Sequence, residues 1–566
     1  MRGRASSFIL AAPAALVLPL MLSPAVVPDS VFINQLAALA GWGLWLLLAP
    51  MPAFAAPCLP AWAATAGALL LAFFASRLHG LGQGGAALVI GAAVPVLWAG
   101  VRSGAVEGKA FAWAFWLAGV GSVVVALVQY FMPSLADGWL VALNGSPGRA
   151  VGNLRQPNHL ATALLCAIVT TAWLWQAGQL RAGAAAASIG LMVLAVVLSA
   201  SRTGALSLGV LLLWAIADRS LPRSARWTLA AAPLLYLLFW GALGAHAAAA
   251  ATPFYGAARL EVGADISSSR FAIWRNALTL VSQQPWGGVG WGNFNFAWTF
   301  TPFPDRPVAF FDHTHNLPLQ LAVELGLPAT ALVLGLLAWA IWQARHAWSA
   351  AGAGAGAERP VRAAFVMLAV LAMHSLLEYP LWYAYFLLPA AWALGLFLGA
   401  APRLAPLGGA ARGGVRFMPW AWRLVGASML LGSAYAAWDH LRIEAIFAPA
   451  SSSGPLDLRI AEGRKSVLFG HHADYAAVTV DGATPALATF RRPLHQLIDV
   501  RLLIAYIQAL KAHGRDGEAL YAAQRLREFR RADAQEFFKD CGRTEPAPPF
   551  QCNEQPVRLQ WRDLEP

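Results

Sequence analysis

Arginine and lysine concentrate in alternate gaps between the apolar stretches of this chain, and that alternation constrains both its class and its orientation. Arg2 and Arg4 precede the first stretch, Arg102 and Lys109 share a later gap, and Arg181 follows. Then come Arg219, Arg223 and Arg226, next Arg345, Arg359 and Arg362, and last Arg403, Arg412 and Arg416. Short loops enriched in Lys and Arg are retained on the cytoplasmic side of a membrane. The intervening gaps hold fewer basic residues, and most of those lie in unusual polar strings. These strings are GNLRQPNHL (Gly152 to Leu160), SRTG (Ser201 to Gly204), a long loop ending in FDHTHN (Phe311 to Asn316), and HSLLEYPLWY (His374 to Tyr383). The conspicuous polar chemistry is therefore expected on the non-cytoplasmic face.

A chain of 566 residues with 58% hydrophobic and only 12% charged residues is too apolar for a soluble domain. It reads as an all-α polytopic membrane protein. Stretches near the ~20 residues that a spanning helix needs can be read at 8–27, 31–49, 60–76, 85–101, 111–131, 158–177, 184–200, 204–218, 226–245, 317–342, 362–378, 381–400 and 418–437. That predicts about 12–13 transmembrane helices. An odd number starting from a cytoplasmic N-terminus leaves the C-terminal region outside, which in a bacterial inner membrane means the periplasm. The formal net charge of +12 is spread over short loop anchors and argues against a nucleic-acid surface. The first segment has the flanks of a signal peptide, but the alternation works only with it retained, so an uncleaved first helix is expected. Cys58 and Cys166 lie in or beside apolar segments as small core residues. Cys541 and Cys552, placed in an oxidising compartment, are expected to form a disulfide.

Composition separates four regions. Residues 1–245 are N-terminal transmembrane helices, 246–316 a large periplasmic loop, 317–437 the C-terminal transmembrane helices and 438–566 a polar periplasmic α-helical domain. A structureless loop of that length inside a compact bundle is expected only where it does something. In the last region, Leu503, Tyr506, Ile507 and Leu510, then His513-Gly514-Arg515, then Leu520, Leu526 and Phe529 predict a helix, a turn and a helix. With one such unit visible, the likeness to a tetratricopeptide hairpin is weak. The run AGAGAGA (Ala351 to Ala357) reads as a cytoplasmic linker.

Each polar string has a chemical and a plain reading. In GNLRQPNHL, Gly152, Asn153 and Pro157 make a turn that opens a helix near Asn158. First-turn amides, Arg155 and Gln156 then suit an anion, while the plain reading has Asn158 capping the helix and Arg155 anchoring at headgroups. Arg202, set against the positive-inside bias, calls for an anionic partner or snorkels to lipid phosphate. Arg270 and Arg275, five apart on one amphipathic helix, are phosphate ligands or solvated charges. His313 and His315, beside Asp312 and Asn316, supply a base that is neutral near pH 7. The rival readings are a metal site, for which no recognisable ligand set completes the pattern, and a cap at Asn316 with idle histidines. Glu378, next to Tyr379 and Pro380, is a carboxylate that needs a partner at that depth.

Taken together and in this order, the strings resemble a bacterial superfamily. It contains O-antigen ligases, O-antigen polymerases of the Wzy type and protein O-oligosaccharyltransferases of the PglL type. GNLRQPNHLA is similar to the PglL-type signature. SRTG, the R-x-x-x-W-x-x-A segment (Arg270 to Ala277) before PWGGVGWGNF, DHTHN before a helix, and EYPLWY complete the pattern over roughly residues 1–400. The resemblance implies a metal-independent glycosyltransferase without cofactor. Such an enzyme moves a preassembled glycan from undecaprenyl pyrophosphate to a hydroxyl at the periplasmic face. The acceptor would be a Ser or Thr of a pilin-like protein, or a sugar in the ligase and polymerase variants. It further implies that His315 is the essential histidine, that Arg202 and Arg270 hold the pyrophosphate, and that Gln156 and Asn158 form a polar turn near the site. The expected set is His315, Gln156, Glu378 and Tyr379 for catalysis, and Arg202, Arg270, Arg155, Asn158 and His313 for binding donor. A lipid-linked glycan transporter is the competing class. Apart from Glu324, however, these helices carry little charge at mid-depth, and the polar strings collect at one face.

Overall fold

The structure, a computed structural model, describes residues 10–49, 58–76, 85–250, 253–256, 266–350, 359–401, 419–480, 485–542 and 548–566. The anchors Arg2, Arg4, Arg403, Arg412 and Arg416 and the AGAGAGA stretch lie outside the described residues. Among the described residues all regular structure is helical, as the composition predicts. The chain forms two compact units. The first comprises Met1–Leu70, Leu88–Gly263 and Val333–Tyr435, and the second Leu71–Ala87, Ala264–Leu332 and Ala436–Pro566.

The helices of the first unit are α1 (Leu10–Met21), α2 (Phe32–Leu48), α3 (Leu59–Ser76), α4 (Gly85–Arg102), α5 (Ala105–Phe131), α6 (Pro157–Gln176), α7 (Ala182–Leu198), α8 (Arg202–Ala217) and α9 (Arg223–Ala250). Helices α10 (Ile266–Gln283), α11 (Phe294–Phe300) and α12 (Leu317–Leu325) follow in the second unit. After them come α13 (Leu327–Gln343), α14 (Val361–Ser375), α15 (Ala384–Gly399) and α16 (Pro419–Phe447). Five of the described helices are long and apolar enough to cross a membrane, and seven shorter ones are apolar. The protein is therefore a multi-pass membrane protein.

Helix α6 is the centre of the first unit. It packs along α5, α7, α8 and α14, and 94% of its most apolar window is buried, against 22% for the peripheral α9. Its mean hydropathy is 1.3 where that of α5 is 2.1. A helix shielded from lipid can afford polar side chains provided each finds a partner inside the bundle. Thr170 and Thr171 return their hydroxyls to the backbone one turn back, at 3.0 Å and 2.6 Å from the Ala167 carbonyl.

Small residues let two helices touch backbone to backbone. On α4 and α15, a Cβ at Gly395 would lie 1.9 Å from the Leu97 carbonyl oxygen, and one at Gly100 would lie 2.0 Å from that of Trp392. The stacked rings of Phe111 and Trp392, 4.1 Å apart, fill the space beside this crossing.

The two ends of the bundle differ in chemistry as the alternation requires. At one end, Arg362 at the start of α14 pairs with Asp218 just past α8. Gln176 at the end of α6 bonds the Ser220 hydroxyl at 2.9 Å, and Arg226 bonds the Ala215 carbonyl at 2.8 Å. GNLRQPNHL, SRTG and HSLLEYPLWY occupy the other ends of the same helices.

The stretch expected as one helix over 317–342 is two. Gly326, with φ 78°, separates α12 from α13. The PWGG turn crosses there: the Leu327 amide donates to the Pro285 carbonyl at 2.8 Å, and a Cβ at Gly326 would lie 2.4 Å from the Trp286 carbonyl oxygen. Apolar composition alone gives no sign of this break.

In the second unit, α17 (Leu456–Gly463), α18 (Gly470–Val478), α19 (Val500–Ala512) and α20 (Asp516–Glu528) follow α16. The predicted hairpin is α19 and α20, turning at Gly514 with φ 76°. It shares one core with the aromatic loop: Phe294, Phe296, Trp298 and Phe300 of α11 are buried with Tyr506, Tyr521 and Phe529. Tyr521 donates to the Phe300 carbonyl at 2.8 Å. The Arg306 side chain, 1% exposed, meets Glu528 at 3.0 Å and the Trp298 carbonyl at 2.7 Å, and lies 4.5 Å over Phe529. Cys541 and Cys552 are joined by a disulfide.

The glycine crossing generates a prediction. Gly395→Leu should abolish the monodisperse species in detergent size-exclusion chromatography, because two backbones would have to separate. Gly190→Leu, where an added Cβ meets nothing within 4 Å, should leave it intact.

Candidate active site

Three of the four polar strings share one local design. In or immediately before each, a non-glycine residue adopts left-handed backbone: Arg155 at φ 54°, Ala200 at φ 47° and His315 at φ 55°. The next residue is a helix N-cap whose side chain accepts an amide proton three residues on. Gln156 accepts from His159 at 2.8 Å, Ser201 from Gly204 at 3.0 Å and Asn316 from Leu319 at 3.0 Å. Left-handed backbone costs an L-residue ~1–2 kcal/mol, and such strain collects at functional sites. The effect is to reverse the chain sharply at a helix mouth, leaving the first-turn amides and the positive end of the helix dipole there.

This revises two expectations for GNLRQPNHL. Gln156, not Asn158, is the cap, so its carboxamide oxygen has a structural task. Arg155 does not converge with it, because its guanidinium is turned to the backbone carbonyls of Ser23 and Ser30. Asn158 is left to bridge. Its oxygen accepts from the Ser201 hydroxyl at 2.6 Å and its amide donates to Glu378 at 3.1 Å. One carboxamide thus links the mouths of α6 and α8 to the turn between α14 and α15. Arg202, exposed at the first position of α8, stands beside this bridge.

Beneath the bridge, the buried rings of His159 and His374 each find a hydroxyl: Tyr385 lies 2.9 Å from His159 Nδ1, and Thr162 2.8 Å from His374 Nδ1. Tyr383 packs against His159 at 4.5 Å and stacks with Tyr379 at 6.2 Å. Of these residues the sequence singles out His374 and Tyr379 but not His159, Tyr383 or Tyr385, although all lie within the polar strings or next to them. Arg149 was missed as well. Its Nε donates to the Ser199 carbonyl at 2.8 Å, and its guanidinium lies 4.9 Å over the Tyr255 ring. The signal available was a second arginine in a gap where the alternation expects none.

The second unit holds the histidine string. Helix α10 carries Arg270 and, one turn on, Trp274, whose indole donates to the Thr314 carbonyl at 3.0 Å. The buried Thr314 takes its amide to Gln320 at 2.7 Å and its hydroxyl to the Asn316 carbonyl at 2.9 Å. The residue between the histidines is therefore locked, and His313 and His315 are presented on either side of it. His313 pairs with Asp312 at 3.1 Å, and His315 meets the Phe311 ring edge-on at 5.6 Å. Arg275, by contrast, pairs with Asp305 at the surface, both more than 60% exposed, a contact worth little.

Glu324 has a structural contact at this depth. Its carboxylate accepts the Gly292 amide at 3.0 Å, and its carbonyl accepts that of Gly290 at 3.0 Å, so it fixes the Gly-rich turn to α12. Asn293 in that turn meets His495 from the C-terminal region at 2.6 Å.

Burial pushes the His315 imidazole down to about 4, helped by the positive charges of Arg270 and His313 and opposed by Asp312. His315 is thus neutral at any physiological pH, as a proton acceptor must be. Among the described residues no group of three or more His, Cys, Asp or Glu is arranged to hold a metal.

Comparison with known proteins follows the same map. Residues 150–175 match the protein glycosylation ligase family, residues 187–334 the O-antigen ligase family, and residues 362–539 the C-terminal region of virulence factor membrane-bound polymerases. Matches to the O-antigen ligase and protein glycosylation ligase families thus fall together in one chain, the combination that its motifs imply. Among curated relatives, a general O-oligosaccharyltransferase of Acinetobacter baylyi is 26% identical over 269 residues, 45% of this chain and 44% of the relative. A ComP-specific O-oligosaccharyltransferase of the same organism is 25% identical over 304 residues, 51% and 50% of the two chains. The chain spans about half the length of the curated relatives it matches.

The field of Arg270 at His315 is testable without substrate. Diethyl pyrocarbonate modifies neutral imidazole, so modification of His315 followed by peptide mass should persist down to about pH 5. In Arg270→Gln the inflection should rise toward the ordinary histidine value near 6.5, because removing a nearby positive charge favours the imidazolium. An unchanged inflection would show that Arg270 does not act on His315.

Proposed function

We propose that this protein transfers a preassembled oligosaccharide en bloc from undecaprenyl pyrophosphate to Ser or Thr hydroxyls of a periplasmic, pilin-like protein. The observation that carries the reading is His315: a neutral imidazole on strained backbone, locked by Thr314, Gln320 and Asn316, within the electrostatic reach of an arginine. In the reaction, the acceptor oxygen bonds to the anomeric carbon as the bond to pyrophosphate breaks. The hydroxyl proton passes to His315, and the charge released on the carrier falls to guanidinium groups. Arg202 and Arg270 each offer forked, permanently charged donors to phosphate oxygens, with Asn158 and Glu378 holding the mouth of α8 beside Arg202. Gln156 and Tyr379 shape that end, and His313 flanks the base.

Arg270 also gives donor binding a chemical consequence. Its charge depresses the basicity of His315, and a pyrophosphate on Arg270 would offset that charge. His315, whose basicity is lowered mainly by burial and then by Arg270, would become a stronger base when donor is bound.

The membrane is read as the bacterial inner membrane, with the Asn158 end of the bundle facing the periplasm. In support, Arg226 and Arg362 anchor the opposite ends of the same helices. A sugar hydroxyl is the alternative acceptor, favoured by the O-antigen ligase and polymerase matches. Both acceptors would use the same base and the same anion ligands.

A positioned base typically contributes a factor of about 100 to 10,000. His315→Ala should therefore cut transfer to below about 1% in an intact-mass assay of periplasmic proteins, while donor binding persists. His313→Ala should cost less. Arg202→Ala and Arg270→Ala should each weaken donor binding, and Lys should restore it poorly. Full turnover in His315→Ala, or unchanged donor affinity in both arginine variants, would refute the assignment. Transfer confined to lipid-anchored glycan would select the sugar acceptor instead.

A further inference from the structure

The segment joining α5 to α6 has a surface that no described residue covers. Leu135, Trp139, Leu140 and Leu143 are 60%, 75%, 77% and 66% exposed. Isolated exposed apolar residues need no explanation, but a contiguous set rising from one loop marks an interaction surface. The set continues the apolar face of α5, where Leu117, Val124 and Phe131, seven residues apart, are 48%, 55% and 47% exposed. That spacing is a single stripe on a helix, and on a membrane span an exposed apolar stripe faces lipid.

The backbone of this loop is prepared for an apolar medium. Asp137 Oδ1 accepts the amides of Trp139, Leu140 and Val141 at 2.9, 2.8 and 3.1 Å. The Gly138 amide donates to the Val141 carbonyl at 2.9 Å, and that of Ala142 to Asn153 Oδ1 at 2.9 Å. Every amide from Gly138 to Ala142 therefore has an acceptor within the protein. A non-helical loop needs that provision to enter lipid without losing its hydrogen bonds to water. The base is held just as firmly. Ser23 donates to the Gly138 carbonyl at 3.0 Å, Gln129 to that of Ala142 at 2.9 Å, and Asn153 to that of Leu140 at 2.9 Å.

We propose that the loop from Trp139 to Leu143 is a preformed finger inserted into the lipid leaflet at the Asn158 end of the bundle, with the exposed Asp137 carboxylate at the level of the headgroups. Trp139 sits at the boundary of headgroups and acyl chains, where tryptophan partitions, and Leu140 and Leu143 reach the acyl region. The occupant of the surface is bilayer lipid, by continuity with the α5 stripe. Asn153 belongs to the GNLRQPNHL turn and holds both the Leu140 carbonyl and the Ala142 amide. The finger therefore sets the height of that turn, and of Asn158 beyond it, against the leaflet.

The test is collision accessibility of a nitroxide at Leu140→Cys in the full chain, with Cys58 and Cys166 changed to Ala, in phosphatidylethanolamine and phosphatidylglycerol vesicles. The label should be accessible to oxygen and shielded from a water-soluble nickel chelate, as a label at Val124→Cys on the stripe should be. A label at Glu536→Cys, exposed in the second unit, should show the reverse. Trp139→Cys provides a second position should Leu140→Cys not accumulate. Nickel accessibility at both finger positions matching that at 536 would overturn the proposal. So would shielding that arises only when polyprenyl pyrophosphate is added, which would assign the surface to the donor's tail.

Discussion

The carboxamide of Asn158 is the contact on which the polar end of the bundle depends. It accepts from Ser201 and donates to Glu378, so one side chain sets the mutual position of three helix ends. In a lipid-surrounded bundle, apolar side chains give little directional preference, because lipid tails are as apolar as leucine. Hydrogen bonds therefore decide which helix mouths meet. The layer below repeats the logic, with His159 to Tyr385 and Thr162 to His374 pinning α6 to α15 and α14. Helix α6 can hold these groups because it is buried on all sides.

Strain and capping recur in three of the four polar strings. Arg155, Ala200 and His315 adopt left-handed backbone, and each is followed by a residue whose side chain caps the next helix. A plain helical start would let the chain leave along the helix axis. The left-handed residue folds it back and sets the direction in which the side chain leaves the corner. At His315 this presents an imidazole with little freedom to lose on binding, and at Arg155 it turns the guanidinium inward to carbonyl groups instead. The same device thus serves presentation in one string and structure in another.

In the second unit the aromatic loop is stable because it is not alone. Arg306 brings a permanent charge into the core and finds a carboxylate, two carbonyl groups and an aromatic face there. Removing Glu528 would leave the buried charge of Arg306 without its carboxylate. Glu324 does the equivalent for the Gly-rich turn through amide donors. The histidine loop is held from two sides, by Trp274 of α10 and Gln320 of α12.

The sequence by itself determined the class, most of the apolar helices and the chemical asymmetry of the ends. Hydrophobic length and arginine distribution are one-dimensional properties, read by lipid and headgroups without reference to a partner. The α19 and α20 hairpin was legible for the same reason, since its apolar spacing and Gly514 are local. Tertiary structure decided what depends on contacts distant in sequence. Asn158 bridges to a residue 220 positions away, which no spacing rule could reveal. Gln156 became a cap and Arg155 an internal donor, because backbone at φ 54° points them there. The break at Gly326 is imposed by the PWGG turn, and the low basicity of His315 comes from burial and from Arg270. Residue type supplies the capacity for this chemistry; packing against sequence-distant neighbours decides which capacities are used.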